Sequence, residues 1–293
     1  GCMLADRLIG SVVAGRYRVD ALLGEGGHAS VLRAHHLRLD CPVALKLLRL
    51  PLGLSSAERA ALVDALRAES TLLSKLRHEC VVRVLDFGEL EAEGPDERSP
   101  YLVTELCTEG TLEALLERTP GQALPLARAW SWMRPLLEGL AHAHRAGVVH
   151  RDLKPQNLMV AHDERGKVRL RLIDFGLAKL WDRAELAGSL ATVSGTPSAS
   201  TPAYAAPEQV LGARTGPWTD VHAAALVFVE LLSGQSPYPL DPVTATLQAA
   251  IAPSRPTPRA LGVDAGPFEP VLSRALALRP SDRFPDAGAL LAA

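Results

Sequence analysis

Two short polar runs in the middle of the chain carry side chains that can act on a phosphoryl group. The first run reads HRDLKPQN from His150, and the second reads DFG from Asp174. Asp152 can orient a hydroxyl group and accept its proton, while Lys154 can offset negative charge on the transferred group. Asn157 and Asp174 offer an amide oxygen and a carboxylate, which are ligands that Mg²⁺ accepts. Any one of these residues could serve a turn or a cap, but the set predicts a site for a nucleoside triphosphate and its Mg²⁺.

A glycine-rich turn lies near the start of the chain. It contains Gly24, Glu25, Gly26 and Gly27, with Ala29 where a third spaced glycine is usual. Glycines between two strands let backbone N–H groups approach phosphates closely. The turn leads into a strand and not a helix, which argues against a dinucleotide-binding Rossmann turn. The turn therefore predicts a phosphate-binding loop of another kind.

A single lysine interrupts the apolar strand that residues 43–48, VALKLL, predict. An isolated lysine can extend its ammonium group to water, so Lys46 alone means little. A predicted helix carries an apolar stripe with Glu69 in its middle. The stripe consists of Leu62, Leu66, Leu73 and Leu76. Because an unpaired buried carboxylate is costly, we expect Lys46 to pair with Glu69 and to be held on the nucleotide phosphates.

Hydrophobic periodicity predicts the elements that must position these groups. Strands are predicted at residues 22–31, where the glycine turn interrupts the pattern, and at 42–50, 81–89, 101–106, 158–161 and 168–173. Helices are predicted at residues 57–76, 112–118, 126–146, 219–233 and 268–278. Residues 91–100 predict a solvated hairpin loop, and residues 180–203, rich in Ser, Thr, Gly and Pro, predict a long functional loop. We expect an α+β fold of two lobes, joined near residues 105–110, with a nucleotide cleft between them.

Composition excludes several classes of protein. The chain has 293 residues and a formal net charge of -2, so it lacks the basic excess of a nucleic-acid-binding surface. Its cysteines show no CxxC spacing, which argues against a disulfide framework or zinc site and favours a cytoplasmic location. The most apolar stretch, residues 223–232, is too short to span a bilayer, so no membrane partner is expected within this chain. We expect the natural chain to begin at Met3 and to continue past Ala293, where a helical pattern stops without a cap.

The motifs as a set identify a family resemblance. They are the glycine turn, VALK at 43–46, HRD at 150–152, DFG at 174–176 and APE at 206–208. Over residues 17–290 the chain is similar to the eukaryotic-like (Hanks-type) protein kinases, above all their bacterial Ser/Thr group. The resemblance implies a bilobal enzyme that transfers the γ-phosphate of ATP, with Mg²⁺ or Mn²⁺, to Ser or Thr hydroxyls of protein substrates. It also implies an N-terminal extension at 1–16, an N-lobe at 17–106 that can pair with a second copy, and a C-lobe at 107–293.

The resemblance assigns nucleotide contacts that spacing alone does not reveal. Thr104 would be the gatekeeper of the adenine pocket, and Glu105 to Cys107 would form the hinge that pairs with adenine. The residues that would enclose the adenine ring are Val31, Ala44 and Met159. The residues that would form the stacked apolar spine of the active state are His150, Phe175, Leu73 and Val84.

The resemblance also assigns roles in the second lobe. Thr201 would lie in a loop that faces the protein substrate. Glu208 and Arg283 would form a buried ion pair, and Asp220 would hold the backbone of the catalytic loop. Arg151, next to the catalytic aspartate, suggests that a phosphate on the long loop pairs with it and orders that loop. The candidate phosphate acceptors are Thr192, Ser194 and Thr196.

Some positions depart from the family pattern without removing a catalytic group. Ser200, His222 and Ala225 replace a glycine, an aromatic residue and a glycine, and residues 78–80 replace a His-Pro-Asn-like turn. These changes bear on loop geometry and substrate docking. The alternatives are a pseudokinase, which would bind a nucleotide or a partner without transfer, and a small-molecule kinase of related fold. The intact catalytic set argues against the first, and the APE segment with its arginine partner argues against the second.

Overall fold

The computed structural model describes residues 2–26, 29–51, 53–91, 98–175 and 202–293. These residues fall into two compact units. The described residues within 2–77 and 82–108 belong to the first unit, and those within 78–81, 109–175 and 202–293 belong to the second. Each unit holds one group of the residues that the sequence singled out, so the two groups are described separately.

A six-stranded antiparallel sheet forms most of the first unit. Its strands are β1 (Val12–Val13), β2 (Tyr17–Glu25), β3 (Ala29–His36), β4 (Cys41–Leu48), β5 (Val84–Glu91) and β6 (Arg98–Glu105), in the spatial order β1-β2-β3-β4-β6-β5. Successive side chains of a strand point to opposite faces, so apolar residues on one face can form a core. Leu32, Leu45 and Val103 are completely buried there. The predicted strands all fall on members of this sheet or on the hairpin of the second unit.

Helix α2 (Ser56–Leu73) packs on the sheet through its predicted apolar stripe. The helix begins with a capping box, in which Ser55 Oγ accepts a hydrogen bond from the Glu58 backbone and the Glu58 carboxylate accepts one from the Ser55 backbone. Its buried apolar residues are Leu62, Val63, Leu66 and Leu73. The predicted helix over 57–76 is therefore present, and it ends earlier, at the Ser74 cap.

Residues 1–16, predicted only as an extension, contribute to the first unit. Helix α1 (Cys2–Leu8) precedes β1, and β1 pairs with β2 so that Val13 lies opposite Tyr17. Ala5 is 0% exposed and Val13 is 2% exposed, and both belong to the core of the sheet. A seven-residue helix and a two-residue strand are too short to give a periodic signal, which is why the sequence did not reveal them.

Helices dominate the second unit. They are α3 (Leu112–Arg118), α4 (Leu126–Arg145), α5 (Pro207–Val210), α6 (Pro217–Ser233), α7 (Val243–Ile251), α8 (Phe268–Ala275) and α9 (Ala287–Ala292), beside a hairpin of β7 (Leu158–His162) and β8 (Val168–Leu172). Short 3₁₀ turns occur at Pro155–Asn157, Pro202–Tyr204, Arg259–Leu261 and Pro280–Asp282. Helix α6 is apolar on nearly all sides and is buried along its length, so it is the central element of this unit.

Helix α6 ends where only glycine fits. Gly234 has a left-handed backbone with φ 69, and a Cβ atom there would lie 2.7 Å from the backbone of Gly121. The close approach lets the residues after Gly121 pack on the end of α6, where the Leu124 N–H donates to the Leu231 carbonyl at 2.8 Å. In the described part of the chain, no helix combines the length and the apolar character needed to cross a membrane.

Candidate active site

Three of the predicted catalytic and metal-binding residues meet in the loop after α4. Lys154 Nζ lies 2.8 Å from Asp152 Oδ2. Asn157 Nδ2 donates to the Asp152 carbonyl at 2.7 Å and to Asp152 Oδ2 at 3.0 Å. Lys154 and Asn157 are buried, whereas the side chain of Asp152 is 34% exposed. Asp152 is therefore held by two fixed neighbours and keeps an accessible carboxylate that an incoming hydroxyl group can reach.

His150 ties this loop to the segment that precedes Asp174. Its Nε2 lies 2.7 Å from the Ile173 carbonyl, and its Nδ1 lies 3.3 Å from the Asp152 backbone nitrogen. Because a carbonyl only accepts and a backbone N–H only donates, the ring is neutral with its proton on Nε2. The Ile173 N–H donates to the Asn157 carbonyl at 3.1 Å. These bonds bring Asp174, the second predicted Mg²⁺ ligand, next to the loop that carries Asn157.

Two residues of this region have a left-handed backbone. The φ angle is 66 at Arg151 and 64 at Asp174. Such angles are uncommon outside glycine and concentrate at functional sites. After the turn at Asp174, the ring of Phe175 packs against His150 with 4.7 Å between centroids and is 4% exposed. This contact joins the two spine residues that the resemblance assigned to the second unit.

Asp220, in the first turn of α6, accepts hydrogen bonds from the catalytic-loop backbone. Its Oδ2 accepts from the His150 N–H and its Oδ1 from the Arg151 N–H, each at 2.7 Å. His144 Nε2 lies 2.9 Å from Oδ2, while His144 Nδ1 accepts from the Ala287 N–H at 3.2 Å. Burial by itself raises the pKa of Asp220, but the hydrogen bonds from the His144 side chain and the His150 N–H keep that pKa below its ordinary value. An ionised, fully buried carboxylate thus anchors the strained backbone at Arg151.

The APE segment is braced by a buried ion pair. Arg283 Nη1 and Nη2 each lie 2.9 Å from one carboxylate oxygen of Glu208. The two side chains are 0% and 3% exposed. Thr219 Oγ1 donates to Glu208 at 2.9 Å, and Arg283 Nε donates to the Ala277 carbonyl at 2.7 Å. Additional bonds on both partners offset the desolvation cost that a buried pair carries.

In the first unit, Lys46 and Glu69 lie on different elements. Strand register places Lys46 opposite Val31 on β3 and Leu102 on β6. Lys46 is half-buried and has an interaction partner of its own. Glu69 on α2 is also half-buried. The Lys46–Glu69 pair stays a prediction, and Glu69 is less buried than that prediction assumed.

The residues assigned to the adenine ring are all half-buried. Ala44 on β4 lies opposite Thr104 on β6, and Thr104 Oγ1 donates to the Glu105 carbonyl at 3.2 Å. Cys107 follows in the same unit, and Met159 lies on β7 of the second unit. Each therefore keeps exposed surface that a ligand can contact.

The glycine turn is exposed at Gly24, Glu25 and Gly26. The Gly26 N–H donates to the Ala29 carbonyl at 2.8 Å, which closes the described part of the turn. Several predicted residues lie outside the described residues, and their roles stay predictions. They are Gly27, Gly176, Thr192, Ser194, Thr196, Ser200 and Thr201.

Sequence reasoning missed two polar residues that hold the catalytic loop. Gln209 Nε2 donates to the Arg151 carbonyl at 2.7 Å, and its Oε1 accepts from the Ala206 N–H at 2.9 Å. His144 bridges Asp220 and the start of α9 as described above. The position of Gln209 three residues after Ala206 is a capping-box spacing and was a usable signal. His144 gave none, because its partner Asp220 is distant along the chain.

A half-buried carboxylate near the APE segment was also missed. The Tyr204 hydroxyl donates to the carboxylate of Glu230 on α6. Burial is the main cause that raises the pKa of Glu230 to about 7, and the negative charge of Glu113 adds to it, while the Tyr204 hydrogen bond opposes it. Glu230 therefore changes its charge near neutral pH.

His222 shows how the fold accommodates one departure from the family pattern. The ring is fully buried in α6, and its Nε2 accepts from Arg255 Nη2 at 2.7 Å. The same Nη2 group lies 2.6 Å from the Tyr238 hydroxyl. Burial, and then the positive charges of Arg283 and Arg255, lower the pKa of His222 well below its ordinary value. A neutral imidazole thus takes the place of an aromatic ring and also serves as an acceptor for a buried cation.

The donor set of the second unit suits a divalent cation that a nucleotide brings with it. Asn157 uses Nδ2 for both bonds to Asp152, so Oδ1 is the atom that a cation would meet. Asp174 adds a hard carboxylate. No group of three or more His, Cys, Asp and Glu suited to a metal occurs among the described residues. The remaining ligands of Mg²⁺ would be phosphate oxygens and water, which is its usual arrangement with nucleotides.

Comparisons with known proteins agree with this geometry. The protein kinase domain family matches residues 17–283. The serine/threonine-protein kinase PknL of Mycobacterium tuberculosis is 36% identical over 288 residues, which cover 97% of this chain and 66% of PknL. The serine/threonine-protein kinase pkn3 of Myxococcus xanthus is 34% identical over 291 residues, which cover 95% of this chain and 49% of pkn3. The crystal structure of the Mycobacterium tuberculosis PknI kinase domain matches with a TM-score of 0.70 and 25% identity, covering 97% of this chain and 96% of that one.

The fold and the catalytic loop define the class, a phosphotransferase built from a β-sheet unit and a helical unit. The chain belongs to the protein kinase family, within its bacterial Ser/Thr group. The predicted α+β kinase fold and the predicted Ser/Thr kinase class are confirmed. Enzymes of this family use ATP with a divalent metal and act on proteins. The curated relatives PknL and pkn3 extend beyond the matched region.

Proposed function

We propose that this chain is the catalytic domain of a kinase that transfers the γ-phosphate of ATP, with Mg²⁺ or Mn²⁺, to Ser and Thr hydroxyls. Its first substrates would be hydroxyls of its own long loop. One observation carries the proposal: Asp152 keeps a partly exposed carboxylate while Lys154 and Asn157 hold it from two sides. A phosphotransferase needs this combination of a positioned base and fixed charges.

Each residue then has a chemical role. Asp152 accepts the proton of the attacking hydroxyl as the new O–P bond forms and the bond from the γ-phosphorus to the bridging oxygen breaks, so that ADP leaves. Lys154, at 2.8 Å from Asp152, keeps that carboxylate in place and offsets charge on the transferred group. Asn157 and Asp174 would hold the divalent cation, which supplies charge neutralisation at the phosphates when bound. Lys46 and the turn at Gly24 to Gly26 would hold the nucleotide phosphates.

Arg151 supports regulation by phosphorylation of the long loop. Its backbone is fixed by Asp220 and Gln209, and its Nε donates to Thr215 Oγ1 at 3.2 Å. A guanidinium on a rigid backbone is a ready partner for a phosphate. The proposed acceptors are Thr192, Ser194 and Thr196, and Thr201 is proposed to face the substrate.

The deciding experiment is the intact mass of the chain after incubation with Mg²⁺ and ATP. We expect gains in steps of one phosphate, which the Asp152→Asn variant loses by at least about 10²-fold in rate while ATP binding persists. Asp163→Asn is the matched control, because Asp163 lies in the turn between β7 and β8 and, among the described residues, its carboxylate meets local backbone and Arg169.

Peptide mapping of the product tests the three proposed acceptors. No mass gain in the parent, with ATP binding intact, would contradict the proposal and favour a pseudokinase. Equal loss of transfer and ATP binding in Asp152→Asn would show misfolding in place of a lost base.

Two further predictions concern the oligomeric state of the chain and its location in the cell. The family resemblance is the basis for proposing that two small lobes pair, and sedimentation of the chain at increasing concentration would test it. Thiols without disulfide-like spacing support a cytoplasmic location, which thiol labelling in intact cells would test.

A further inference from the structure

Arg49 follows β4 directly and lies three residues after Lys46. Its guanidinium reaches back to the glycine turn. Nη1 donates to the Gly26 carbonyl at 2.9 Å, and Nη2 donates to Glu25 Oε1 at 2.8 Å. Neither contact follows from the motifs, since arginines after apolar strands are common on protein surfaces.

The same guanidinium also contacts the strand that leaves the turn. Nη2 donates to Ser30 Oγ at 2.8 Å, and Ser30 Oγ donates to Glu25 Oε1 at 3.0 Å. Glu25 and Ser30 are directly paired across β2 and β3, so the side chains of Arg49, Glu25 and Ser30 form a hydrogen-bonded ring at the base of the turn. Ser30 is 1% exposed. Arg49 therefore joins both strands of the glycine hairpin to the strand that carries Lys46.

This arrangement meets a specific physical need. Glycines lose more conformational entropy on ordering than other residues, so a glycine turn that must cradle phosphates is costly to fix at the moment of binding. A constraint already present in the free protein reduces that cost. A planar guanidinium with several donors can hold a carbonyl, a carboxylate and a hydroxyl at once, which an ammonium group cannot do in the same geometry.

We propose that Arg49 is a positioning residue for the nucleotide phosphates, because it holds Glu25 and Gly26 on one side of the glycine turn and Ser30 on the other. The proposal rests on the proposed role of that turn in phosphate binding. Arg49 acts through the turn and not on the phosphates, and its side chain is already paired with Glu25.

The test compares the affinity of the chain for ATP, ADP and adenosine in the parent and in Arg49→Met. We expect the affinity for ATP and ADP to fall about tenfold, since more than one charge-assisted hydrogen bond is lost. The affinity for adenosine should stay within about twofold, because adenosine has no phosphate for the turn to hold. The kinetic counterpart is a higher KM for ATP with a smaller change in kcat.

Matched variants separate positioning from other effects. Arg18→Met is the control, since Arg18 makes an exposed pair with Asp20 in the same sheet at 2.9 Å. Arg49→Lys should recover only part of the lost affinity. Glu25→Gln combined with Arg49→Met should lose less than the sum of the single changes, because both act through one network.

Three results would overturn the proposal. One is an unchanged ATP affinity in Arg49→Met. Another is an equal loss of affinity for adenosine and for ATP, which would mean that Arg49 supports the folding of the lobe and not the phosphate contacts. A melting curve would show that unfolding. The last is strict additivity with Glu25→Gln, which would point to a direct contact of Arg49 with phosphate. A parent chain that binds ATP no better than adenosine would instead refute the phosphate-binding role of the turn itself, and the Arg49 role with it.

Discussion

The two units of this kinase domain hold their functional residues in different ways. In the second unit, Asp220, Glu208 and Arg283 are almost completely buried, and each makes several hydrogen bonds. In the first unit, Lys46 and Glu69 are half-buried, and the glycine turn is held by Arg49, whose side chain is 33% exposed. The proposed catalytic loop is thus anchored in the core of its unit, whereas the residues proposed to bind phosphates keep exposed surface.

This difference between the units indicates which charged residues stabilise the fold and which can serve the chemistry. A buried ionic group left without its partner costs several kcal/mol, so the anchors of the second unit are bound to the folding of that unit. Exposed pairs contribute little to stability, so the first unit can change the positions of its functional groups at low cost. We expect substitutions of the buried anchors in the second unit to act on folding, and substitutions of the half-buried groups in the first unit to act on activity.

The largest expected effect on stability tests the buried anchor. Arg283→Met should lower the free energy of unfolding by roughly 3–5 kcal/mol, because Glu208, at 3% exposure, would lose its cationic partner. Urea denaturation measures the change. The control is Arg134→Met, which breaks an exposed pair with Glu138 on α4 and should cost roughly 0.5 kcal/mol. If both variants lose a similar amount of unfolding free energy, the buried pair stabilises the protein no more than the exposed pair does, and the comparison between the two units is wrong.

An intermediate effect concerns pH and Glu230. Its carboxyl group has a pKa of 4.5 in the unfolded chain and about 7 when folded, so folding favours the protonated form. The contribution of Glu230 to stability is therefore fully present below about pH 4.5 and is lost as the pH rises through about 7, by about 3 kcal/mol in all. Glu230→Gln should remove this fall, which denaturation at a series of pH values would detect.

Glu117→Gln, on the exposed side of α3, is the matched control for that experiment. The pH dependence of its stability should follow the parent. If Glu230→Gln keeps the same decline between about pH 5 and 8, burial of Glu230 is not its source.

The smallest expected effect on stability concerns Lys46. Lys46→Met should change the free energy of unfolding by less than about 1 kcal/mol, since Lys46 is half-buried, yet lower turnover by about 10²-fold or more. Lys75→Met, an exposed position after α2, should change neither. Unfolding of the small lobe in Lys46→Met would instead mean that a pair with Glu69 is chiefly structural.

Much of the fold was predictable from periodicity and motifs. Helix α3 has the predicted bounds, and α4 differs by one residue at its end. Helix α7, along with α1 and β1, was not predicted. These elements are short, and their place depends on which surface they cover. In α1, for example, burial of Ala5 in the sheet core is a property of packing and not of local sequence.

The candidate site also contains residues that the sequence predicts and residues that it does not. Asp152, Lys154, Asn157 and Asp174 were predictable because their spacing is local and their chemistry is specific. The Glu208–Arg283 pair came from the family resemblance, and the structure contains it. His144, Gln209 and Arg49 were not predictable, since each acts on a partner that is distant along the chain or lacks a motif.

By itself, the sequence determined the class of fold, the chemistry and the residues that can carry it. Residue type and short-range spacing encode these properties, and the family match agrees with them. Only the tertiary structure decided how the groups are held: that His150 is neutral with its proton on Nε2, that Asp220 is ionised although buried, and that Arg49 bonds Glu25 and Gly26. The physical reason is that burial and long-range hydrogen bonds depend on which distant segments pack together, and packing is a property of the whole unit.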